Sequence, residues 1–144
     1  MKMENLFYFV QHPQKLSYSS IVFCFIEKDV KTTDELFYAL DNQFKFCVFG
    51  WNWDALKDAL CGFDNEKKRN IVIMHEAINM NNSVLYNYLL CLMSAALVWK
   101  KHSNKHRFFP IFSVEDREKI MKILYTDEPQ EWFKVFCENL GLKK

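Results

Sequence analysis

Glycine and proline are scarce in this chain, at three of each in 144 residues. That leaves little room for a loop-rich fold and none for a glycine-rich phosphate cradle, which needs several glycines close together. A long hydrophobic run is missing too. The most apolar stretch, Val84 to Trp99, is shorter than the roughly 20 residues of a membrane-spanning helix and contains Asn87 and Ser94, so it reads as a buried core helix. Charge of one sign is not in excess. Lys and Arg number 19 against 18 Asp and Glu, a formal net charge of +1, which gives no support for polyanion binding. The opening Met1-Lys2-Met3-Glu4 lacks the charged-then-apolar pattern of a signal peptide. The five cysteines (Cys24, Cys47, Cys61, Cys91, Cys137) are odd in number, widely spaced and mostly in apolar surroundings. They fit free thiols in a reducing cytoplasm better than a disulfide framework. No Cys pair has zinc-finger spacing, His75-Glu76 lacks the second His of a zinc protease, and His102 and His106 fall around a helix end and loop. Neither a metal nor a cofactor is expected.

Hydrophobic residues make up 50% of the chain and aromatics 17%, which excludes disorder and is enough for one sizeable core. A single domain over residues 1–144 is expected, with a core of about 20–113 and a C-terminal helical extension over 114–144. Ile21 to Ile26 is a short apolar run rich in β-branched and aromatic residues, as in a strand covered on both faces. Thr32 to Glu35 reads as a capping box opening a helix whose buried stripe is Leu36, Phe37, Leu40 and Phe44. Asn70 to Met74 and Arg107 to Phe112 read as further strands. One of Asn81, Asn82 and Ser83 caps the long apolar helix between them, and Lys100 and Lys101 complement its dipole at the far end. Ser113 opens a fourth helix, and Pro129 stands in the first turn of a fifth that ends before Gly141. Asn5 to Val10, rich in Phe and Tyr, is compatible with an added edge strand. Strands alternating with helices imply an α/β fold with a small, mostly parallel sheet of about three strands and right-handed connections.

The most informative stretch is Phe46 to Leu60, where an aromatic-Gly turn precedes Asn52, a helix cap, and then two carboxylates one turn apart. At about 100° per residue from Trp53, the apolar Trp53, Leu56, Ala59, Leu60 and Phe63 gather around 300°. Asp54 and Asp58 fall at about 100° and 140°, and Lys57 at about 40°. One side of the helix is therefore expected to be buried and the other to hold two negative charges outward. Trp53 faces the core on this wheel. Trp51, in the turn, is either a packing residue or an exposed anchor.

Phe49 to Leu56 resembles the signature of the barstar family, small intracellular inhibitors of bacterial ribonucleases: an aromatic-Gly-x-Asn-aromatic/Leu-Asp-Ala-Leu run. The flanking strands and helices agree with the resemblance from about Ser20 to Ser113. It implies that the motif helix and its preceding loop plug a ribonuclease active site, with Asn52, Asp54 and Asp58 at the matching positions. Carboxylates accept bidentate hydrogen bonds from Arg, so they take the place of substrate phosphate. Val48 stands where the family carries a contact aromatic, and Lys57 where an aromatic lies between the two Asp positions. The expected contact set is Val48, Trp51, Asn52, Asp54, Lys57 and Asp58, without a catalytic residue. The implied function is that of a cytoplasmic immunity or antitoxin-type protein masking a cognate toxin, with no direct nucleic-acid or membrane partner. The alternative is a barstar-like adaptor binding a protein through its C-terminal helices, the Asp pair being merely solvated.

The basic cluster Lys100, Lys101, His102, Lys105, His106 and Arg107 reads first as a helix end and its loop, because no base-stacking motif accompanies it. No enzymatic constellation emerges. Asp54 and Asp58 project from one convex helix instead of flanking a cleft, and Cys61 beside them is disfavoured as a thiolate by their charge.

Overall fold

The structure is a computed structural model that describes residues 1–16, 21–46, 50–62, 70–102 and 107–142, with the backbone alone at His102. After a 3-10 turn at Met3–Leu6 come β1 (Tyr8–Val10), β2 (Ile21–Ile26), α1 (Thr33–Phe44), α2 (Trp53–Cys61), β3 (Asn70–His75), α3 (Asn82–His102) and β4 (Phe108–Ser113). A 3-10 turn at Val114–Asp116, α4 (Arg117–Leu124) and α5 (Asp127–Leu140) complete the chain. The local signals act where expected. Thr32 accepts from the Glu35 amide while Glu35 returns to the Thr32 amide, closing the capping box of α1. Asn81 Oδ1 takes the Val84 amide at the start of α3 (2.9 Å), so Asn81 is the cap among the three candidates. Gly141 closes α5 in the left-handed conformation that glycine adopts without cost.

The sheet has four strands in the order β1-β4-β3-β2, all parallel, where the sequence led us to expect about three. The added strand comes from the aromatic-rich N-terminal segment. Its three residues are too few to show a period of two in the sequence. Helices α1, α2 and α3 cover one face, because their buried residues join Cys24, Ile26, Ile71, Ile73 and Phe112 in one core cluster. The register puts Phe23, Phe25, Val72, Met74, Phe109 and Ile111 on the opposite face. Residues 11–16 run over that face, where the Gln14 amide meets the Met74 sulfur and Lys15 lies over the Phe25 ring. The connection from β1 travels laterally against the two helical crossovers. With residues 11–16 on the opposite face, its hand is the same as theirs, in keeping with the general rule for parallel connections.

One side chain satisfies part of the β2 edge. Gln43 of α1 accepts from the Phe25 amide (2.8 Å) and donates to the Phe25 carbonyl (2.9 Å), satisfying both edge groups of that residue. Among the described residues α3 alone is long and apolar enough to cross a membrane. It exceeds the Val84–Trp99 run because polar residues at both ends are also helical. Most of it is buried here as the central core helix. The C-terminal helices are part of the same core: Ile120, Leu124, Phe133 and Cys137 are all buried within it.

Candidate functional site

Asn52 organises the turn before α2 from both sides. Its Oδ1 accepts from the Ala55 amide at 2.8 Å, capping the helix, and its Nδ2 donates to the Gly50 carbonyl at 3.2 Å. Between those two contacts sits Trp51, with φ of 50°. A bulky residue in this left-handed region is an outlier, held against a cost of about 1–3 kcal/mol. The residue with positive φ is thus Trp51 and not its neighbour Gly50, where an added Cβ would meet only ordinary contacts at 3.5 Å. The two readings open for Trp51 prove to be compatible. Its ring stands edge-on to Phe37 at 6.2 Å, yet 43% of the residue is exposed.

The expected two-sidedness of α2 holds for most positions. Leu56 and Leu60 are fully buried, while Asp54 and Asp58 are exposed. Trp53 corrects the wheel, being half-buried and not a central core residue. It lies in the first turn, where no earlier helical turn covers it, and its ring packs edge-on against Phe37 at 4.9 Å. Its carbonyl accepts the Cys91 thiol of α3 (3.4 Å), pinning the start of α2 to the core helix. Lys57, between the two sides in the sequence wheel, is half-buried. Val48, expected in the contact set, and Phe63, expected in the apolar stripe, lie outside the described residues, as do Lys105 and His106.

Two like charges at i and i+4 repel each other by a few tenths of a kcal/mol in a free helix. Among the described residues no cation is paired with Asp54 or Asp58. Their charge reaches the neighbouring thiols. Burial and then the Asp58 carboxylate push the Cys61 thiol up to about 11, against an opposing pull from Lys57. Burial pushes Cys91 to about 12, with Lys57 lowering it and Cys61 and Asp54 raising it. Cys24 is raised further by burial alone. These thiols stay protonated near neutrality, so none is a ready nucleophile. Cys24, Cys61 and Cys91 are free thiols. No His, Cys, Asp and Glu cluster that would hold a metal ion occurs among the described residues.

The sequence reading weighed His75 only as a zinc ligand and gave it no role in the fold; it is fully buried at the end of β3. Its Nδ1 faces the Ile111 carbonyl at 2.8 Å, its Nε2 the Tyr88 hydroxyl at 2.6 Å, and its ring stacks on Phe112 at 4.1 Å. A neutral imidazole donating from Nδ1 and accepting at Nε2 satisfies both contacts. Burial pulls its pKa down to about 4, against the opposing Ile111 bond. This network joins β3, α3 and β4 in the core.

No curated protein and no solved structure matches the chain at a significant level. The family model described as Barstar (barnase inhibitor) matches residues 22–125. The match takes in β2 to α4, extending past Ser113, where the visible resemblance ended; α4 lacks a recognisable motif but buries Ile120 and Leu124 in the common core. Members of that family are inhibitors and not enzymes. With the Asn-capped turn and its paired carboxylates inside a match covering more than half of its length, this chain belongs to the barstar family and is a barnase-inhibitor-like protein.

Proposed function

We propose that the protein is an immunity or antitoxin-type inhibitor that masks the active site of a cognate toxin in the cytoplasm, the toxin being a ribonuclease. The observation carrying this reading is the outward pair Asp54 and Asp58 on a helix anchored by Leu56 and Leu60, beside the exposed Trp51. In the complex the carboxylates meet the Arg and Lys that otherwise hold RNA phosphate, and their mutual repulsion is relieved by the opposite charge. Asn52 keeps the turn in place, Trp51 supplies apolar contact, and Val48 belongs to the same contact set by its position before the turn. Lys57 opposes a uniformly basic surface, so it faces an acidic or neutral rim. That requirement selects an enzyme different from the family's usual target.

The test is capture from the native host with immobilised wild type and with D54A/D58A, followed by ribonuclease assays on whatever is retained. A ribonuclease held and silenced by wild type but not by the folded double variant is the expected result. The adaptor reading places the partner on the C-terminal helices, where α5 exposes Val135 beside half-buried Trp132 and Phe136. Capture abolished by V135D and unchanged by D54A/D58A would favour the adaptor instead.

A further inference from the structure

Trp51 carries its outward ring on a backbone that a bulky residue rarely adopts, with φ of 50°. Asn52 fixes the main chain on both sides of it, through the Ala55 amide and the Gly50 carbonyl. Those bonds set the turn, whereas the direction of the indole is a matter of side-chain packing. The packing comes from α1. Phe37, only 1% exposed, stands edge-on to two indoles at once, Trp51 at 6.2 Å and 86° and Trp53 at 4.9 Å and 77°. Aromatic pairs in this arrangement attract beyond the apolar area they bury. At about 100° per residue Leu36 and Leu40 lie about 40° apart in the buried stripe of α1, with Phe37 about 60° to the side of Leu40. That position turns it away from the centre of the core and towards the turn before α2.

Both ends of this contact are anchored. The capping box closes the start of α1, and Gln43 near its end bonds both backbone groups of Phe25 in the sheet. On the other side, the Trp53 carbonyl accepts the Cys91 thiol of α3. We propose that Phe37 is a positioning residue of the contact surface: it holds the Trp51 indole in the outward attitude that a partner meets, and through Trp53 it ties that ring to the start of the carboxylate helix. This deepens the reading of the α2 turn as the toxin-binding surface and rests on it. A turn held ready before encounter spares the complex the cost of ordering it. A turn left free lowers the apparent affinity by the fraction of molecules in the competent form.

The experiment joins NMR of the full-length protein to affinity measurements with the ribonuclease retained by immobilised wild type. In wild type, residue 51 should show the strong amide-to-Hα contact of a positive φ, and the Trp51 indole should show contacts to the Phe37 ring. The four tryptophans give four indole resonances, that of Trp51 being identified by its loss in W51F. In F37L the Trp51 resonance should move to the position of a free indole, and affinity should fall about tenfold, as for a competent fraction of about a tenth. L40A, which truncates a fully buried residue of the same helix, should lower stability yet leave the Trp51 resonance and the affinity unchanged. Should F37L not fold, F37M carries the same comparison. Absence of the Phe37 contacts in wild type, an unmoved Trp51 resonance in the folded variant, or an equal loss of affinity in L40A would overturn the proposal. Unchanged affinity in F37L beside a loss in D54A/D58A would overturn the role of Phe37 alone. Unchanged affinity in D54A/D58A would overturn the α2 contact reading and, with it, the part given to Phe37 in binding.

Discussion

At the residue scale, the turn before α2 differs most from what its sequence suggests. A Phe-Gly-Trp-Asn run reads as a turn made possible by its glycine, yet Trp51 takes the left-handed conformation. Replacing Trp51 by Gly should therefore leave the protein about 1–2 kcal/mol more stable than replacing it by Ala, since both lose the ring but Ala keeps the steric penalty. Denaturant midpoints of the two variants check this; equal stabilities would mean the left-handed turn is absent. Trp53 and Asp58 form a second contrast. Trp53→Ala should cost about 2–3 kcal/mol, below the cost for a fully buried aromatic because the ring is half-covered. Asp58→Ala should stay within about 0.5 kcal/mol. Comparable losses at both positions would contradict the two-sided helix.

At the scale of elements, caps and apolar runs were legible because their signals are local. Thr32 with Glu35, Asn52 with Ala55 and Gly141 each act within a few residues. The edge strand β1 was only weakly legible, since its three residues are defined by pairing with β4, about a hundred positions away. The role of His75 was invisible for the same reason, because its partners Tyr88, Ile111 and Phe112 come from other elements. Its burial has a pH consequence. The folded pKa of about 4 lies below the ordinary value of 6.5, so between these limits the unfolded chain takes up the proton and the folded one does not. Stability associated with neutral His75 is present above pH 6.5 and lost as the pH falls towards 4, by about 3 kcal/mol. Denaturation from pH 7 to 4 should show this slope in wild type and a shallower one in H75Q. Equal slopes would show that His75 takes up a proton in the fold as readily as in the unfolded chain.

For the whole molecule, the C-terminal helices α4 and α5, expected from the sequence as an extension, also bury Ile120, Leu124, Phe133 and Cys137 in the common core. Phe133→Ala should therefore cost about 3–5 kcal/mol and lower the stability of the entire domain in a single transition. An early separate transition for the C-terminal helices would show that they unfold independently of the rest of the core. Long-range contacts of this kind cannot be read from the periodicity of one helix. The same limit applies to the proposed contact surface, whose carboxylate pair was legible by spacing while the position of the Trp51 ring was not. Whether the carboxylate pair fills a basic active site, as proposed, is decided by the affinity of the purified cognate toxin for wild type and for folded D54A/D58A at two salt concentrations. A loss of about 2 kcal/mol or more is expected in the double variant, together with wild-type association that slows as salt rises. An affinity unchanged by the double substitution at both salt concentrations would contradict it.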